Sequence, residues 1–401
     1  MAGANREASR AAPGRGVGSA NGARNLVAFE LWRLPMNFFS LSSAEQWQAI
    51  ARVTVAARPL SEPRQPCRLT WQEDLAAVTY FLVILGLPLL VPLLAGALAV
   101  LRSPYLKWWV ATVAILALHP MPKYHVWYRR NRLGVLLAKY FTVTLLVDKG
   151  HPDCALAGTP AIDETPPPPP VVSLACPHGV LNFGAIVWVF FSRWICGLEQ
   201  YTAGASVVDK VPGLRYLAAT LWFVPVDRHS LKRALQEKPR IRDSNGRLLG
   251  TDKPRYGGMV GMVPDGIAGI FKSRSGEDTL FIGKKRGMMR ICLEEGAMIM
   301  GGWFSGTAEL FRIVVDPLGI MEWISRKTKV SIFLFFGRWW LPVPRRVAIT
   351  MCPKLVRCAK NPAPSREDVE ALHWEVYGGM TRDFEDLRHF AGYTDRRLIV
   401  R

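Results

Sequence analysis

Acidic residues are scarce in this chain relative to basic ones, and this imbalance constrains its partners. The 401 residues contain 51 Lys and Arg against 32 Asp and Glu, for a net charge of +19. Such a surplus favours anionic partners, namely lipid headgroups, a nucleic acid or a polyanionic substrate. No RNA- or DNA-binding motif accompanies the charge and half of the residues are apolar, so the sequence argues against a nucleic-acid partner.

Paired cysteine motifs are missing as well. The seven cysteines are an odd number and include no Cys-x-x-Cys pair, so the sequence predicts neither a disulfide framework nor a metal site. We therefore expect the chain to face a reducing compartment, with its cysteines serving only in packing.

An apolar core of the secretory-signal type is absent from the N-terminus. Residues 1–25 are rich in Ala, Gly, Arg and Ser, with Glu7 as their single acidic residue. This composition fits a disordered cytosolic tail and also an organellar transit peptide, and both interpretations remain open. We expect residues 1–75 to form a partly disordered tail.

Charge is absent from residues 76–101, a predominantly apolar run of 26 residues. About 20 apolar residues suffice to cross a bilayer. Pro88 and Pro92 are expected to kink or break this helix, because each lacks an amide donor. A second apolar run follows after a short turn, so residues 76–118 are predicted to form a membrane hairpin, either two crossings or a re-entrant wedge. Basic residues on both flanks favour two cytosolic ends.

Strand-like and helical patterns alternate in the second half of the chain. Residues 119–170 are predicted to form a basic amphipathic segment and a linker that ends in five prolines. Residues 171–401 are predicted to form an α/β domain, a mixed sheet flanked by helices. The predicted strands are 171–175, 221–226, 259–263 and 297–304, and the predicted helices are 183–191, 287–295 and 365–390.

A histidine follows the first of these predicted strands. His178 lies in a Pro-His-Gly turn between the strand and a helix, and Gly179 allows a substrate to approach the backbone closely. Amides at the start of the helix could hold an oxyanion, and an imidazole has the pKa range of a general base. A lone histidine after a strand also fits a turn or core role, and the residues alone leave this open.

Four stretches resemble the type-2 diacylglycerol acyltransferase family, which includes monoacylglycerol and wax-alcohol acyltransferases. CPHGVLNFGA is similar to its His-Pro-His-Gly block, and VPGLRYLAATLWFVPVDRHSL to its central segment, whose Arg corresponds to Arg228. VPDGIAGIF resembles its Gly-Gly-Ile-Ala-Glu block, and GKKRGMMRICLEEGAMIM its Arg-Lys-Gly block with the following helix. The resemblance spans residues 76–395 and implies a glycerolipid-acyltransferase-like fold.

The resemblance implies direct acyl transfer from acyl-CoA to diacylglycerol, giving triacylglycerol, with His178 as the base and Gly179 in the oxyanion turn. Monoacylglycerol and wax alcohols are alternative acceptors. A covalent intermediate is not needed, and the chain has no Gly-x-Ser-x-Gly elbow. A lysophosphatidic-acid-type acyltransferase is a third hypothesis, and it requires an Asp four residues after the histidine. This chain has Asn182 there, which disfavours that hypothesis.

Substrate contacts are also implied by the resemblance. Asn182 and Arg228 are the expected substrate-binding side chains, and Lys284, Lys285 and Arg286 could attract the CoA phosphates, although this triplet also fits a solvated loop. Acyl-CoA is a co-substrate, and no cofactor is implied.

The expected partners are membrane lipids. The expected location is the endoplasmic reticulum membrane or a lipid droplet, with a cytosolic catalytic domain, and self-association into a homo-oligomer is left open.

Three departures from the family pattern concern the site. Cys176 stands where the family has its first His, Gly269 where it has Glu, and Ser305-Gly306-Thr307 where relatives have Phe-Gly-Glu. Asp265 stands where the family has Gly and is the expected substitute for the missing carboxylate. These departures support a second hypothesis, a catalytically impaired, membrane-bound lipid-binding or scaffold paralogue. The weaker carboxylate candidates are Asp227 and Glu309.

Overall fold

The computed structural model describes most of the chain. The described residues are 26–119, 129–148, 169–196, 200–209, 211, 214–236, 258–281, 286–314, 316–328 and 333–401.

Strands and helices of the described residues alternate along much of the chain. The strands are β1 (Leu26–Glu30), β2 (Thr54–Ala56), β3 (Thr144–Asp148), β4 (Val171–Cys176), β5 (Gln200–Gly204), β6 (Phe223–Pro225), β7 (Met259–Met262), β8 (Glu277–Leu280), β9 (Met298–Ser305), β10 (Arg312–Ile313), β11 (Phe335–Phe336), β12 (Thr350–Val356) and β13 (Arg397–Val400). The helices are α1 (Ser43–Arg52), α2 (Trp71–Phe81), α3 (Leu87–Val100), α4 (Leu106–Leu118), α5 (Arg132–Tyr140), α6 (Phe183–Cys196), α7 (Leu214–Leu221), α8 (Arg228–Gln236), α9 (Gly266–Lys272), α10 (Gly287–Glu295), α11 (Ile320–Thr328) and α12 (Arg366–Ala391).

A nine-stranded mixed sheet forms the centre of the fold, in the order β2-β1-β3-β12-β9-β4-β7-β5-β6. Strand β4 runs parallel to β7 and β9, whereas β12 is antiparallel to β9 and β1 is antiparallel to β3. Helices cover both faces. The predicted mixed sheet with flanking helices is therefore confirmed.

Strand β4 lies in the interior of this sheet, and all six of its residues are buried. Successive side chains of a strand point to opposite faces. Accordingly, Val171 and Ala175 join a hydrophobic cluster with α2, α5 and α6, and Val172 and Leu174 join a cluster with α8, α10 and α12 on the other face. Because both faces are covered, the carboxyl end of β4 delivers the following turn to a fixed position.

The domain begins earlier in the chain than the sequence pattern indicates. Strands β1 and β2 fall in the expected tail of residues 1–75, and β3 falls in the expected amphipathic segment of residues 119–170, yet all three extend the central sheet. The central sheet therefore includes strands from before the predicted boundary at residue 171. The reason is that β3 pairs with β12, about 200 positions away, and a local pattern carries no trace of such a partner.

One described helix is long and apolar enough to cross a membrane, and it runs without a break from Trp71 to Val100. It consists of α2, a π-helical turn over Leu82–Gly86, and α3. Of the two predicted outcomes at Pro88 and Pro92, a break is therefore wrong, and a kink stays a prediction. The π-helical turn lies just before the first proline, where its wider backbone accommodates a missing amide.

The shorter apolar helix α4 is the second arm of the hairpin. Its Trp109 indole donates to the carbonyl of Val91 at 3.3 Å, which joins the two arms. At the open end, Arg338 pairs with Asp74 at 2.7 Å, and Arg215 of α7 donates to carbonyls at the end of α4. Both ends of the hairpin are thus attached to the α/β domain, while α3 has no buried residue and projects from it.

Candidate active site

His178 lies two residues beyond the end of β4, in the turn before α6. Its Nδ1 is 3.1 Å from the carbonyl oxygen of Gly179. Because a carbonyl only accepts, Nδ1 carries the ring proton and Nε2 has a free lone pair. Among the described residues none is bonded to Nε2. Desolvation lowers the pKa of His178 to about 4, so the imidazole is neutral near pH 7 and can accept a proton at Nε2.

Asp265 is buried beside this turn, and its carboxylate accepts two backbone hydrogen bonds. Oδ2 accepts from the amide of His178 at 3.1 Å, and Oδ1 accepts from the amide of Phe281 at 3.3 Å. The side chain does not cap α9, although Asp265 stands at its N-cap position. Asp265 therefore holds the backbone of the candidate base, and the contact to the imidazole expected of an orienting carboxylate is not among its described bonds.

Burial shifts the ionisation of the groups around Asp265. Desolvation raises the pKa of Asp265 to about 7, although its two backbone bonds oppose the shift. The Cys176 thiol lies 3.9 Å from Oδ1, and burial and the neighbouring carboxylate raise the pKa of Cys176 well above its usual range. Cys176 is therefore a neutral thiol donor to Asp265 rather than a reactive thiolate.

Gly269 has no room for a side chain. A Cβ built there would lie 2.5 Å from the Cβ of Asp265 and 2.8 Å from the Cβ of His178. Positions 265 and 269 are one helical turn apart, so their side chains would compete for the same space beside the histidine. The carboxylate at position 265 therefore requires a glycine at position 269.

The turn itself depends on Gly179 and Thr307. Gly179 has a φ of +62°, and a Cβ there would lie 2.7 Å from the carbonyl oxygen of Thr307. The Thr307 hydroxyl donates to the carbonyl of Phe304 at 3.0 Å and also lies 3.3 Å from the carbonyl oxygen of Pro177. The amides of Gly179 and Val180 donate to no acceptor among the described residues, which leaves them available for an oxyanion. The sequence did not predict this supporting role of Thr307. The residue was interpreted only as a departure from the Phe-Gly-Glu of the family pattern.

Asn182 is a structural residue. Its Nδ2 donates to the carbonyl of Pro177 at 2.9 Å, and its Oδ1 accepts from the amide of Ala185 at 2.8 Å, which caps α6. The side chain is buried. Both ends of the amide thus have partners inside the protein, and the expected substrate contact of Asn182 stays a prediction.

The predicted phosphate contacts are only partly accessible in the structure. Arg228 donates to both carboxylate oxygens of Glu294, at 2.7 and 2.8 Å. Arg286 is paired bidentately with Glu370, at 2.7 and 2.9 Å. Both guanidinium groups are therefore neutralised by a carboxylate that the sequence pattern did not indicate. Lys284 and Lys285 lie outside the described residues.

The weaker carboxylate candidates belong to other parts of the fold. Asp227 is exposed and accepts from the amide of Ser230 at 2.9 Å, at the start of α8. Glu309 pairs with Arg396 at 2.6 Å and accepts from the amide of Gly276 at 2.8 Å. Neither has a described contact with His178, so Asp265 is the carboxylate that the fold brings to the histidine.

Comparison with known proteins finds a family match that includes the residues of the candidate site. Residues 171–401 match the family described as "Diacylglycerol acyltransferase". The chain is 24% identical over 238 residues to diacylglycerol O-acyltransferase 2 of Xenopus tropicalis, covering 56% of this chain and 62% of that protein. It is 24% identical to diacylglycerol O-acyltransferase 2-like protein 6 of Mus musculus, covering 75% and 89%. It is also 24% identical to acyl-CoA wax alcohol acyltransferase 2 of Mus musculus, covering 57% and 68%.

These matches leave a considerable part of some relatives uncovered. The chain spans about three fifths of the length of the diacylglycerol O-acyltransferase 2 proteins that it matches. Among solved structures, the 1-acyl-sn-glycerophosphate acyltransferase PlsC of Thermotoga maritima has a TM-score of 0.31 and 15% identity, covering 74% of this chain and 96% of that one. A superposition this loose carries no argument about the site.

Proposed function

Because the chain belongs to the diacylglycerol acyltransferase family, we propose that it is an acyl-CoA-dependent O-acyltransferase that esterifies diacylglycerol to triacylglycerol. The observation that carries the proposal is the neutral His178, whose Nε2 is free while Nδ1 is bonded to the carbonyl of Gly179. Monoacylglycerol and wax alcohols are the alternative acceptors.

In the proposed reaction His178 takes the proton of the acceptor hydroxyl through Nε2 as the hydroxyl oxygen attacks the thioester carbon. The amides of Gly179 and Val180 hold the negative charge that develops on the carbonyl oxygen. Collapse of the intermediate forms the ester and breaks the carbon–sulfur bond, and the imidazolium returns its proton to the CoA thiolate. Asp265 is a positioning residue in this scheme, because it holds the backbone amide of His178.

The cationic contacts to CoA remain part of the proposal. Lys284 and Lys285 supply charge for the CoA phosphates next to Arg286 in the chain. Arg286 and Arg228 would each have to exchange a carboxylate partner for a phosphate. We therefore assign the two lysines the larger share of phosphate binding.

The proposed location is the endoplasmic reticulum membrane, with the hairpin crossing twice and the catalytic domain cytosolic. The projecting arms have 14 and 13 residues, or about 20 Å each at 1.5 Å per residue, against about 30 Å of hydrocarbon. A one-leaflet wedge would leave Arg102 and Lys107 in the hydrocarbon, at about 3 kcal/mol each. A crossing leaves about 10 Å of mismatch, which costs a few kcal/mol in total at fractions of a kcal/mol per Å, and in a crossing the two cations can extend to the far headgroups.

The test is acyl transfer by microsomes that contain the wild-type chain or His178→Ala, with labelled acyl-CoA and diacylglycerol. We expect triacylglycerol from the wild type and at least about 100-fold less from the variant. His389→Ala, which changes an exposed histidine of α12, is the matched control and should retain activity. Equal product from wild type and His178→Ala would contradict the assigned base.

Acceptor choice is tested by replacing diacylglycerol with monoacylglycerol or a long-chain alcohol in the same assay. A preference for either would assign the chain to the corresponding branch of the family. A wild-type chain without turnover on any of the three acceptors would support the lipid-binding paralogue instead.

A further inference from the structure

A group of large apolar side chains is exposed on the catalytic domain, outside the hairpin. Trp323, Trp339 and Trp340 are 60%, 59% and 78% exposed. Burial of a tryptophan stabilises a soluble fold strongly, so three exposed ones in one region require a partner. We call this region the aromatic patch; its members are Leu318, Ile320, Trp323, Trp339, Trp340 and Leu341.

A short antiparallel ribbon joins the two halves of the aromatic patch. Strands β10 and β11 pair with each other, and α11, which carries Trp323, lies in the chain between them. At the other end of the ribbon Phe336 stacks on Trp340, with ring centroids 4.5 Å apart. The two halves are therefore parts of one structural unit.

The aromatic patch continues the surface from which the hairpin leaves the domain. Arg338 pairs with Asp74 of α2, and a Cβ on Gly86 would lie 3.9 Å from Cγ of Pro342. Gly86 is the last buried residue before the projecting helix α3. The loop that carries Trp339 and Trp340 is thus level with the point where the hairpin emerges.

The hairpin and the ribbon also share one face of the central sheet. Phe81 of α2 belongs to the hydrophobic cluster on that face, and Phe335 of β11 packs against the same cluster. Residues of α12 belong to the cluster on the opposite face. The aromatic patch and the hairpin therefore lie on the same side of the domain.

Cations accompany the exposed tryptophans. Lys327 lies over the ring of Trp323 at 4.9 Å, and Arg338 over the ring of Trp339 at 4.0 Å. Ser325 is buried while Trp323 and Lys327 are exposed, so α11 presents an aromatic and basic face to the outside. Tryptophan and basic residues together are typical of the headgroup region of a bilayer.

The backbone of the loop is strained in a way that displays its rings. Trp339 and Trp340 have φ values of +52° and +61°, which cost free energy in a bulky residue and persist only where the surroundings impose them.

We propose that the aromatic patch binds the headgroup region of the same phospholipid leaflet through which the hairpin enters. This inference rests on the proposed membrane hairpin, but not on the proposed chemistry.

Membrane binding by the aromatic patch also brings the candidate active site to the lipid surface. Helix α9, which follows Asp265, packs against the same structural unit as the patch, because the ring centroids of Phe271 in α9 and Phe333, two residues before β11, are 6.2 Å apart. Lys272 of α9 lies 3.9 Å from Glu322 of α11. An apolar acceptor dissolved in that leaflet then has a short path to His178.

The first test measures insertion without any assay of catalysis. A nitrobenzoxadiazole fluorophore is attached to the full chain at Trp323→Cys or Trp340→Cys, with Trp374→Cys on α12, 54% exposed before substitution, as the matched control. In vesicles of phosphatidylcholine and phosphatidylserine, we expect a blue-shifted emission at 323 and 340 that is lost when the lipids carry a doxyl quencher. The unsubstituted chain gives the background from native cysteines.

Fluorescence at 323 and 340 that matches position 374 in all vesicles would overturn the proposal. A blue shift that appears only as the protein concentration rises, and that doxyl lipids do not quench, would also overturn the proposal. It would show that the aromatic patch binds a second copy of the chain.

The second test separates membrane binding from chemistry. Trp323→Glu with Trp340→Glu should raise the apparent KM for long-chain diacylglycerol in vesicles several-fold, and should leave turnover of a short-chain diacylglycerol in detergent unchanged. Trp374→Glu should change neither. Equal losses with both substrates would show a folding defect or a role in catalysis and would contradict the proposal, whereas an inactive wild type would contradict only the proposed function.

Discussion

Burial moves the pKa values of His178 and Asp265 in opposite directions, and this explains how two titratable groups share one interior. The pKa of His178 falls to about 4 and that of Asp265 rises to about 7. In each case desolvation favours the neutral form, because the cost of burying a charge exceeds the gain from the hydrogen bonds available there. The two groups therefore do not form an ion pair, and Asp265 contacts the backbone of His178 instead.

The two shifts predict opposite effects of pH on stability. The pKa of Asp265 is raised from 3.8, so its contribution is fully present below about pH 4 and is lost as pH rises through 7. The pKa of His178 is lowered from 6.5, so its contribution is present above about pH 6.5 and is lost as pH falls through 4. Between about pH 4 and pH 6.5 the contributions of Asp265 and His178 to the free energy of unfolding therefore change in opposite directions and offset each other in the wild type.

Single variants should reveal the two contributions. On acidification from pH 7 to 4, Asp265→Asn should lose thermal stability more steeply than the wild type, because only the histidine contribution remains. His178→Gln should instead gain stability over the same range. Unfolding midpoints in detergent, measured at several pH values, check both signs, and three parallel profiles would show that neither group titrates as described.

Crowding around Gly269 leads to a prediction at the same site. Gly269→Ala should destabilise the protein by about 1–3 kcal/mol through overpacking against Asp265 and His178. Gly287→Ala is the matched control, since a Cβ there meets nothing within 4 Å, and it should be neutral or slightly stabilising.

The exchange of positions can be tested directly. Asp265→Gly combined with Gly269→Glu should be more stable and more active than either single variant, because loss of the Asp265 side chain removes the 2.5 Å contact of a Cβ at position 269 and leaves only the 2.8 Å contact with the Cβ of His178. Urea unfolding and acyl transfer measure the coupling. Additive effects of the two substitutions would show that the positions do not compete.

At the scale of single elements, the turn after β4 is held by groups from three directions. Asn182 and Thr307 both contact the carbonyl oxygen of Pro177, and Asp265 accepts from the amide of His178. Because β4 is buried along its whole length, the strand cannot shift to compensate for the loss of one support. The position of the imidazole therefore depends on these bonds.

Thr307→Val removes one of these supports with almost no change of shape. We expect a loss of about 1 kcal/mol in stability and a lower kcat with an unchanged KM. Thr381→Val is the control, because its hydroxyl also bonds a carbonyl, that of Tyr377 at 3.0 Å, within α12. The control should lose similar stability and keep its kcat; equal kcat losses in both would argue against a positioning role for Thr307.

At the scale of the whole molecule, the hairpin and the domain form one unit. The ion pair of Arg338 with Asp74 and the bonds from Arg215 to the end of α4 attach both open ends. The position of the hairpin relative to the domain therefore depends on these contacts.

The number of membrane crossings can be measured at the tip of the hairpin. In sealed microsomes, Ser103→Cys should react with a membrane-impermeant maleimide only after a pore-forming peptide admits the reagent to the lumen. Glu367→Cys, at the exposed start of α12, should react without the pore. A tip that stays unlabelled in intact bilayers under both conditions would indicate a one-leaflet wedge, the geometry that also suits the monolayer of a lipid droplet.

Local elements with a strong pattern could be predicted from the sequence alone. The predicted helix 287–295 coincides with α10, and the predicted helix 365–390 corresponds to α12, which Ser365 caps together with Asp368. Strand β4 and the turn with His178 were also predictable, because an apolar run followed by Pro-His-Gly acts over a few residues. The apolar helix was predicted, but the π-helical turn over Leu82–Gly86, just before Pro88, was not, because such a turn has no sequence signature.

Only the tertiary structure decided which charges and strands are partners. Arg228 meets Glu294 across 66 positions, and Arg286 meets Glu370 across 84, so motif residues expected to bind phosphate are neutralised by remote carboxylates. Strand β3 likewise joins the sheet through β12. Sequence patterns determine which residues are buried or exposed within an element, because hydrophobicity acts locally. Pairing depends on how the elements pack, and that decided that Asp265 holds the backbone of His178.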